Sequence, residues 1–403
     1  MKKKPNFNSY MLISALLIIV SSLLLSSMKN MKFAERADEG YYLRYASAIA
    51  DKGLSEFRNL FAGYIENEKD WVYPNPLRIG FIILSSLFCK IFGNSFMAIA
   101  YLSFLSYLAF IVINYYFCSR IFDKEKAVLL SVLVAFSPLT MAMARRALSD
   151  STYVLFGGLT VWLFLDMLIK DKRIIKKVIF LFALIFSILI KETAVLLVIP
   201  FFIFMAAYKF IFKGVVKWAD FLYISVYPAI VVAGVYCLAA GSLGKIADVA
   251  NIILTSVNYN QYAIIFGSGP WYRYIIDYIL LSPWIVILSA GFIAYYFTLK
   301  EFDARIFYFL ILLVVTLFTL NFFTKNVRYV MMLDMPMRLL SVIMLKALLQ
   351  SRFPNTAFIL SAIFVFAIAM TDYITFHSLF LAGNIYDPIS FELLKAQHII
   401  PWQ

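Results

Sequence analysis

Histidine and cysteine are scarce in this chain, whose 403 residues include only two histidines and three cysteines. The cysteines, Cys89, Cys118 and Cys237, are far apart in apolar surroundings, and no spacing typical of a zinc or redox site occurs. Charged residues are also few, at 15%, whereas hydrophobic residues make up 63%. These scarcities argue against zinc chemistry, a disulfide framework and a soluble domain of ordinary composition.

The hydrophobic residues lie in runs of about 18 to 24 residues, the length that a helix needs to cross the hydrocarbon core of a membrane. We therefore predict an all-α, polytopic membrane protein. The net charge is +13, and most of the surplus lies in short segments between the apolar runs. Basic residues there set orientation and meet anionic headgroups, so membrane lipids, and not nucleic acid, are the predicted partners.

The first apolar run follows a basic start, Lys2, Lys3 and Lys4. A signal peptide begins in the same way, but this apolar core is long and no small-residue cleavage pattern follows it. We therefore expect a retained first span with its N-terminus in the cytoplasm.

The basic residues also decide the predicted topology. The apolar segment 77–92 is short and contains Arg78 and Lys90, so it could cross the membrane or lie in its outer interface. If it does not cross, the inner loops hold fifteen Lys and Arg and the short outer loops five. If it crosses, this bias reverses. We therefore predict about eleven transmembrane helices, at 10–28, 96–117, 127–144, 152–169, 174–190, 193–212, 219–240, 278–298, 306–323, 330–349 and 355–376.

These spans predict one transmembrane domain over residues 1–376, followed by a short outer-face tail over 377–403. Residues 29–95 form a long first outer loop. It is expected to contain amphipathic interfacial helices, one of them in "RADEGYYLRYASAIADKG".

An acidic pair, Asp38 and Glu39, follows the first predicted span in "ADEGYY". Acids are common in a first helical turn because they complement the backbone dipole. Local spacing alone favours that interpretation, with Asp38 as a helix cap and Glu39 solvated. A reactive carboxylate is the alternative.

Two more segments place charges at predicted outer span edges. "ARRALSD" carries Arg145, Arg146 and Asp150. The arginines could anchor the chain at the interface, but paired arginines on the outer side run against the orientation rule and suggest a bound anion. The turn "IKE" carries Lys191 and Glu192, either as a solvated pair or as groups that face a polar cavity.

The last such segment, "KNVRYVMMLDMPMRLL", carries Lys325 and Arg328, with Asp334 and Arg338 in the span that follows. The i,i+4 spacing of Asp334 and Arg338 predicts an internal ion pair or a substrate-facing strip. We call these four charged segments at the outer ends of the spans the outer corners. Their acids and cations suit a reaction in which Arg and Lys hold a phosphate while a carboxylate activates an acceptor. An anion transporter would use similar groups, but nearer the midplane.

The order of these features resembles the C-type glycosyltransferase superfamily, in the branch of the dolichyl-phosphate-mannose protein mannosyltransferases and the lipid A aminoarabinose transferase. The resemblance is strongest over residues 30–200 and weak over 240–300. It implies a membrane enzyme that transfers a hexose or pentose from a polyprenyl-phosphate carrier to an acceptor. The matching elements are "ADEGYY", "YPNPLRIGFIILSSLFCKIFG", "SRIFDKEKAVLLSVLVAFSPLTMAMARRALSD", "KET" and "KNVRYVMMLDMPMRLL".

The resemblance also implies roles for individual residues. Asp38 and Glu39 are the expected catalytic pair, with Asp38 as the base, inversion at the anomeric carbon and polyprenyl phosphate as the leaving group. Five basic residues are expected to bind the donor phosphate, and four others the sugar or acceptor. The phosphate ligands are Arg145, Arg146, Lys191, Lys325 and Arg328, and the sugar or acceptor ligands are Asp150, Glu192, Trp71 and Tyr73.

The resemblance leaves the need for a cofactor open: a divalent metal ion is one option, and Asp38 and Asp150 would be its ligands. The acceptor is left open among lipid, glycan and protein. The lysine- and isoleucine-rich, histidine-poor composition favours a prokaryotic plasma membrane, with the active site on the outer face. A transporter or flippase of lipid-linked sugars is the alternative function.

Overall fold

The computed structural model describes residues 9–170, 173–256, 258 and 260–397, and this part of the chain is helical without a β-strand. Short 3₁₀ turns lie at 54–56, 68–70, 192–197 and 327–330, and a π-helical turn at 377–382. The α-helices are α1 Ser9–Met28, α2 Asp38–Lys52, α3 Phe57–Glu66, α4 Ile79–Phe92, α5 Phe96–Ile121, α6 Lys124–Ala135, α7 Pro138–Ala144, α8 Asp150–Ile169, α9 Ile174–Ile190, α10 Val198–Phe210, α11 Trp218–Ile224, α12 Val226–Ala240, α13 Leu243–Ser256, α14 Gln261–Phe266, α15 Arg273–Leu281, α16 Pro283–Tyr296, α17 Ala304–Leu320, α18 Met331–Arg352, α19 Ala357–Phe376 and α20 Ser390–Ala396.

Within the described ranges, six helices are long and apolar enough to cross a membrane, and a seventh span results if α6 and α7, bent by 62°, count as one. The other predicted spans coincide with α9, α16, α17 and α18. The predicted all-α polytopic architecture is therefore confirmed, whereas the count of about eleven spans is not. The boundary between domain and tail stays a prediction, and the tail is described only to residue 397.

Most of segment 77–92 forms α4, Ile79–Phe92, which packs against α2, α5 and α9. Gly80 permits this close packing, because a Cβ there would lie 3.2 Å from the Leu189 backbone. The contact brings the start of α4, where Arg78 stands, next to the turn that carries Lys191 and Glu192. The first predicted outer loop is thus built from helices α2, α3 and α4.

Charges gather at the two ends of the helical bundle. Helix α8 runs from Asp150 to Ile169, and at about 1.5 Å per residue its 20 residues span roughly 30 Å. Asp150 contacts Lys191 from a predicted outer turn, whereas Asp166 near the other end contacts Arg120 and Lys176 from predicted inner loops. The predicted outer corners therefore meet at one end of the bundle, and the predicted inner loops meet at the other.

Arg338 lies in the bundle core and is fully enclosed by protein. Its Nε donates to Asp334 at 2.8 Å, its Nη1 to Asp372 at 2.7 Å, and its Nη2 to the Ser282 hydroxyl at 3.1 Å. Asp334 and Arg338 thus form an internal ion pair and not a substrate-facing strip. The network joins α18 to α19 and to the start of α16.

Asp277 of α15 is a buried carboxylate whose two oxygens accept no hydrogen bond of normal geometry from the described residues. Burial raises its pKa to about 6, against the opposing effects of Ser390 and of Arg273, whose Nε is 3.9 Å away. The folded state therefore favours the protonated acid. Stability is lost as the pH rises from about 4 towards 6, and the loss is complete above that value.

Asp277→Asn is expected to raise the free energy of unfolding by about 1–3 kcal/mol at pH 7.5. The gain should shrink as the pH falls below 6, because the native acid then binds its proton. Thermal unfolding in detergent between pH 4.5 and 7.5 measures this, with the exposed Asp248→Asn as the control. An equal gain at every pH would contradict the explanation.

Candidate active site

A cavity of about 440 Å³ opens at the end of the bundle where the predicted outer corners meet. Its walls come from the start of α2, the segment 71–78, the C-terminal end of α13, the start of α14, the turn 324–329 and the residues Tyr386 and Asp387. Four charged side chains line it: Asp38, Arg78, Arg328 and Asp387. Such a concave site with a few convergent polar groups is typical of a ligand-binding pocket.

Asp38 is the first residue of α2, but it is not the helix cap, because Ala37 holds the cap position and no side chain caps the helix. Its Oδ2 lies 3.3 Å from Nη2 of Arg328, and its side chain is 28% exposed. Asp38 is therefore oriented by an arginine and accessible from the cavity, as a carboxylate that accepts a proton from a substrate must be.

Arg328 stands in the 3₁₀ turn Val327–Val330, whose start is fixed by the Asn326 side chain accepting the Arg328 backbone N–H. Each nitrogen of its guanidinium faces a different acid. Nη2 faces Asp38 at 3.3 Å, Nη1 faces Asp150 at 3.7 Å, and Nε faces Asp387 at 3.3 Å. Burial lowers the pKa of Arg328, but Asp387, Asp150 and Asp38 outweigh it and hold that pKa well above its usual value.

Arg78 is the second arginine of the cavity, and each nitrogen of its guanidinium also has a partner. Nε and Nη2 bind the two carboxylate oxygens of Glu192 at 3.0 and 3.1 Å, and Nη1 donates to the Tyr42 hydroxyl. Asn75 donates to the same carboxylate at 3.2 Å. A bidentate pair of this kind is strong and directional, so it fixes the cavity wall between the first loop and the turn after α9.

Lys191 and Asp150 form a buried pair behind Arg328, with Nζ and Oδ1 2.7 Å apart. Lys191 also faces the rings of Tyr153 and Tyr329 at 5.5 and 5.0 Å. Burial lowers the pKa of Lys191, with Arg78 and Arg328 adding to the effect and Asp150 opposing it. Neither residue lines the cavity, but Asp150 also faces Nη1 of Arg328 at 3.7 Å, so the pair is linked to the cavity wall through Arg328.

Glu39 is turned away from the cavity and fully buried. It accepts hydrogen bonds from Arg146 Nη2 at 2.7 Å and from the backbone N–H groups of Ala34 and Ala147 at 2.7 and 2.9 Å. The segment before α2 folds tightly over this acid, since a Cβ at Gly40 would lie 1.8 Å from the Glu35 carbonyl oxygen. Glu39 therefore ties the start of α2 to the 145–147 segment.

Arg145, Arg146 and Lys325 are buried but do not line the cavity. Arg146 holds Glu39 and stacks over Tyr386 at 4.6 Å. Nη1 of Arg145 has no hydrogen-bond partner among the described residues, and burial, reinforced by Arg146, lowers the pKa of Arg145 to about 10. The backbone N–H of Lys325 donates to the Gly267 carbonyl at 2.8 Å.

Trp71 and Tyr73 line the cavity, as a sugar-binding role requires. The Trp71 indole N–H donates to the Tyr64 carbonyl at 2.9 Å, and Tyr73 stacks on Tyr41 with ring centroids 4.1 Å apart. Both rings are thus fixed in orientation. Their faces or edges can pack against the apolar face of a sugar ring.

The structure divides the predicted site residues into three groups. Asp38, Trp71, Tyr73 and Arg328 line the cavity. Asp150 contacts Arg328, Glu192 contacts Arg78, and Lys191 is paired with Asp150. The other four, Glu39, Arg145, Arg146 and Lys325, lie outside the cavity. Sequence reasoning missed Arg78, Tyr386 and Asp387. For Arg78 the signal was an arginine in an otherwise apolar segment. For Tyr386 and Asp387 the only signal was the polar sequence "NIYDP" within a mainly apolar stretch.

Among the described residues, no group of three or more His, Cys, Asp or Glu side chains is arranged to hold a metal ion. Asp38 and Asp150 both face Arg328, so a guanidinium stands between the two carboxylates that were expected to share the ion. Asp38 and Asp150 therefore do not fit a shared divalent metal ion.

Comparison with known proteins gives a family model and several solved structures. The model of the dolichyl-phosphate-mannose-protein mannosyltransferase family matches residues 76–228. This range contains Arg78, Asp150 and Glu192, but neither Asp38 nor Arg328. No curated relative matches the chain.

The fold resembles solved membrane proteins at low sequence identity. ArnT from Cupriavidus metallidurans bound to undecaprenyl phosphate matches with a TM-score of 0.52 and 14% identity, over 96% of this chain and 74% of that one. The apo oligosaccharyltransferase of Archaeoglobus fulgidus matches with a TM-score of 0.63 and 13% identity, over 92% and 56%. The same archaeal protein in complex with an inhibitory peptide and a dolichol-phosphate gives 0.57 and 13%, over 93% and 56%. The resemblance stated from the sequence is thus confirmed.

Proposed function

We propose, on the basis of the C-type glycosyltransferase fold that this multi-pass membrane protein has, that it transfers a single sugar from a polyprenyl-phosphate carrier to an acceptor. The observation that carries the proposal is the contact between Asp38 and Arg328 in the wall of one cavity. One side chain can take a proton from an acceptor, and the other can hold the phosphate that leaves.

The reaction is a single displacement at the anomeric carbon. Asp38 accepts the proton of the acceptor hydroxyl or amine, and the acceptor atom forms a bond to the anomeric carbon from the face opposite the phosphate. The bond between that carbon and the phosphate oxygen breaks, and polyprenyl phosphate leaves with the electron pair. The configuration at the anomeric carbon is therefore inverted.

Arg328 stabilises the charge that develops on the leaving phosphate. A guanidinium carries donors on separate edges, so one edge can hold Asp38 while another meets a phosphate oxygen. The surrounding protein screens these charges less than water does, and a fixed cation therefore contributes more to the rate.

The remaining cavity residues position these two. The Arg78–Glu192 pair fixes another part of the cavity wall. The Lys191–Asp150 pair supports Arg328 from outside the cavity. Trp71 and Tyr73 provide aromatic rings against which the sugar can pack. For Asp150, Lys191 and Glu192 we propose this supporting role in place of direct substrate contact.

The four predicted residues outside the cavity have other proposed roles. Glu39 and Arg146 hold the start of α2, and so Asp38, in place. Arg145, whose Nη1 has no hydrogen-bond partner among the described residues, is buried behind the cavity wall, and Lys325 lies between cavity-lining residues 324 and 326. We propose that they attract the anionic donor and are not its final phosphate ligands.

The acceptor is a lipid, glycan or protein that reaches the outer face of the membrane. The outer location rests on the excess of basic residues in loops at the end of the bundle opposite the cavity. A prokaryotic plasma membrane with a cytoplasmic N-terminus is the setting that the composition favours.

A vesicle assay tests the function. The purified protein is placed in sealed vesicles that carry polyprenyl-phosphate-linked sugars, and the lipids are analysed with and without EDTA. We expect one such donor to be converted to polyprenyl phosphate, at the same rate in both arms. Intact lipid-linked sugar that appears on the opposite leaflet without cleavage would show a transporter instead.

A further inference from the structure

The cavity wall and the ion pairs behind it together have an excess of negative charge before any substrate enters the cavity. Three cations and four carboxylates form its ion-pair network, which leaves a net charge of −1. The cations are Arg78, Lys191 and Arg328, and the acids are Asp38, Asp150, Glu192 and Asp387. A donor phosphate brings a further negative charge, so its binding requires a cation that one of these acids now occupies.

Three of the four acids are the first residue of a helix or a 3₁₀ turn, and one lies in an irregular segment. Glu192 is held by Arg78 and Asn75, and Asp150 starts the buried end of α8 against Lys191. Asp38 begins α2, and the next residue, Glu39, is locked to Arg146. Asp387, by contrast, lies in residues 383–389, which we call the strap.

The strap has no regular secondary structure. It is held within its length by the Ile385 backbone N–H, which donates to the Leu379 carbonyl at 3.2 Å, and by the buried side chain of Ile389, and it is also tied at its ends. The backbone N–H of Gly383 donates to Ser378 at 2.8 Å before it, and the Ser390 hydroxyl accepts from Arg273 at 2.7 Å after it. Between these ties, Asp387 faces Nε of Arg328 at 3.3 Å and accepts from Asn326 at 3.0 Å. Tyr386 packs over Arg146.

We propose that Asp387 is an exchangeable occupant of the donor-phosphate position: the phosphate of the incoming lipid replaces the Asp387 carboxylate at Nε of Arg328, and the strap moves with it. This inference rests on the proposed function and assigns the residue that sets donor affinity. The exchange keeps one anion on that edge of the guanidinium and restores the charge balance once the acid has moved away. Asp38 stays on the other edge of Arg328, ready for the acceptor.

Binding of polyprenyl phosphate to Asp387→Asn in lipid nanodiscs tests the exchange. Without the competing carboxylate, the dissociation constant is expected to fall about tenfold or more. Binding of polyprenol, which lacks the phosphate, should not change. Asp387→Glu keeps the charge and should bind like the wild type. Asp248→Asn, an exposed acid on α13, controls for net charge.

The outcomes separate the two proposals. If the wild type binds polyprenyl phosphate and Asp387→Asn binds it equally or more weakly, the exchange is wrong and the proposed function stands. If neither protein binds it better than polyprenol, the proposed function fails and the exchange fails with it.

Hydrogen exchange of the wild type gives a second readout that needs no variant. Polyprenyl phosphate, but not polyprenol, is expected to speed amide exchange within residues 383–389, because the strap loses its contact with Arg328. Slower or unchanged exchange in the presence of bound polyprenyl phosphate would overturn the proposal.

Discussion

Asp38→Asn is expected to lower the rate of sugar transfer by about 10²–10⁴-fold, because the amide cannot accept the acceptor's proton. The side chain keeps its size and its place at the start of α2. It also loses a negative charge beside Arg328, so binding of polyprenyl phosphate should be retained or strengthened. The expected signature is therefore a large loss of rate at saturating donor without a loss of donor binding.

Asp51→Asn is the matched control for this variant. Asp51 lies on the same helix, but it is exposed and contacts Asn94 outside the cavity. Its turnover should equal that of the wild type. If Asp38→Asn turned over within tenfold of the wild type, Asp38 would not be the base and the displacement would need another proton acceptor.

Arg338→Met is expected to destabilise the fold by about 3–5 kcal/mol, the cost of leaving buried carboxylates without their cation. The arginine is fully buried, and it is the shared partner of Asp334 and Asp372. Methionine fills much of the volume of the arginine side chain. The expected loss of stability therefore comes from the uncompensated carboxylates and not from a packing defect. Thermal unfolding in detergent measures it.

Two further variants sharpen this test. Arg352 is exposed at the end of α18, so Arg352→Met should leave the free energy of unfolding unchanged. Combining Arg338→Met with Asp334→Asn and Asp372→Asn should recover most of the lost stability, since no uncompensated charge then remains. An Arg338→Met protein as stable as the Arg352→Met control would show that the network contributes little.

The sequence was sufficient for the architecture because long apolar runs have few structural solutions in a membrane. It also placed the outer corners together, since the bias of Lys and Arg fixes which loops share a side. Asp38, Trp71, Tyr73 and Arg328 were assigned to the site through the family resemblance, and all four line one cavity.

What the sequence could not predict is which way each charged side chain points. Asp38 and Glu39 are neighbours, but successive helical positions differ by about 100°, so one faces the cavity and the other is buried against Arg146. Arg145 and Arg146 were expected to bind phosphate, and both lie behind the wall. Asp387 was missed because it reaches Arg328 from 59 residues further along the chain, through a strap without a periodic pattern.

The most direct test of the central claim is the anomeric configuration of the sugar after transfer. Wild-type protein is given a polyprenyl-phosphate-linked sugar of known configuration together with its acceptor, and the product linkage is determined by NMR. The single displacement at Asp38 predicts an inverted linkage and one polyprenyl phosphate for each sugar transferred. A retained configuration would contradict it, because the sugar would then have passed through a covalent intermediate on the protein.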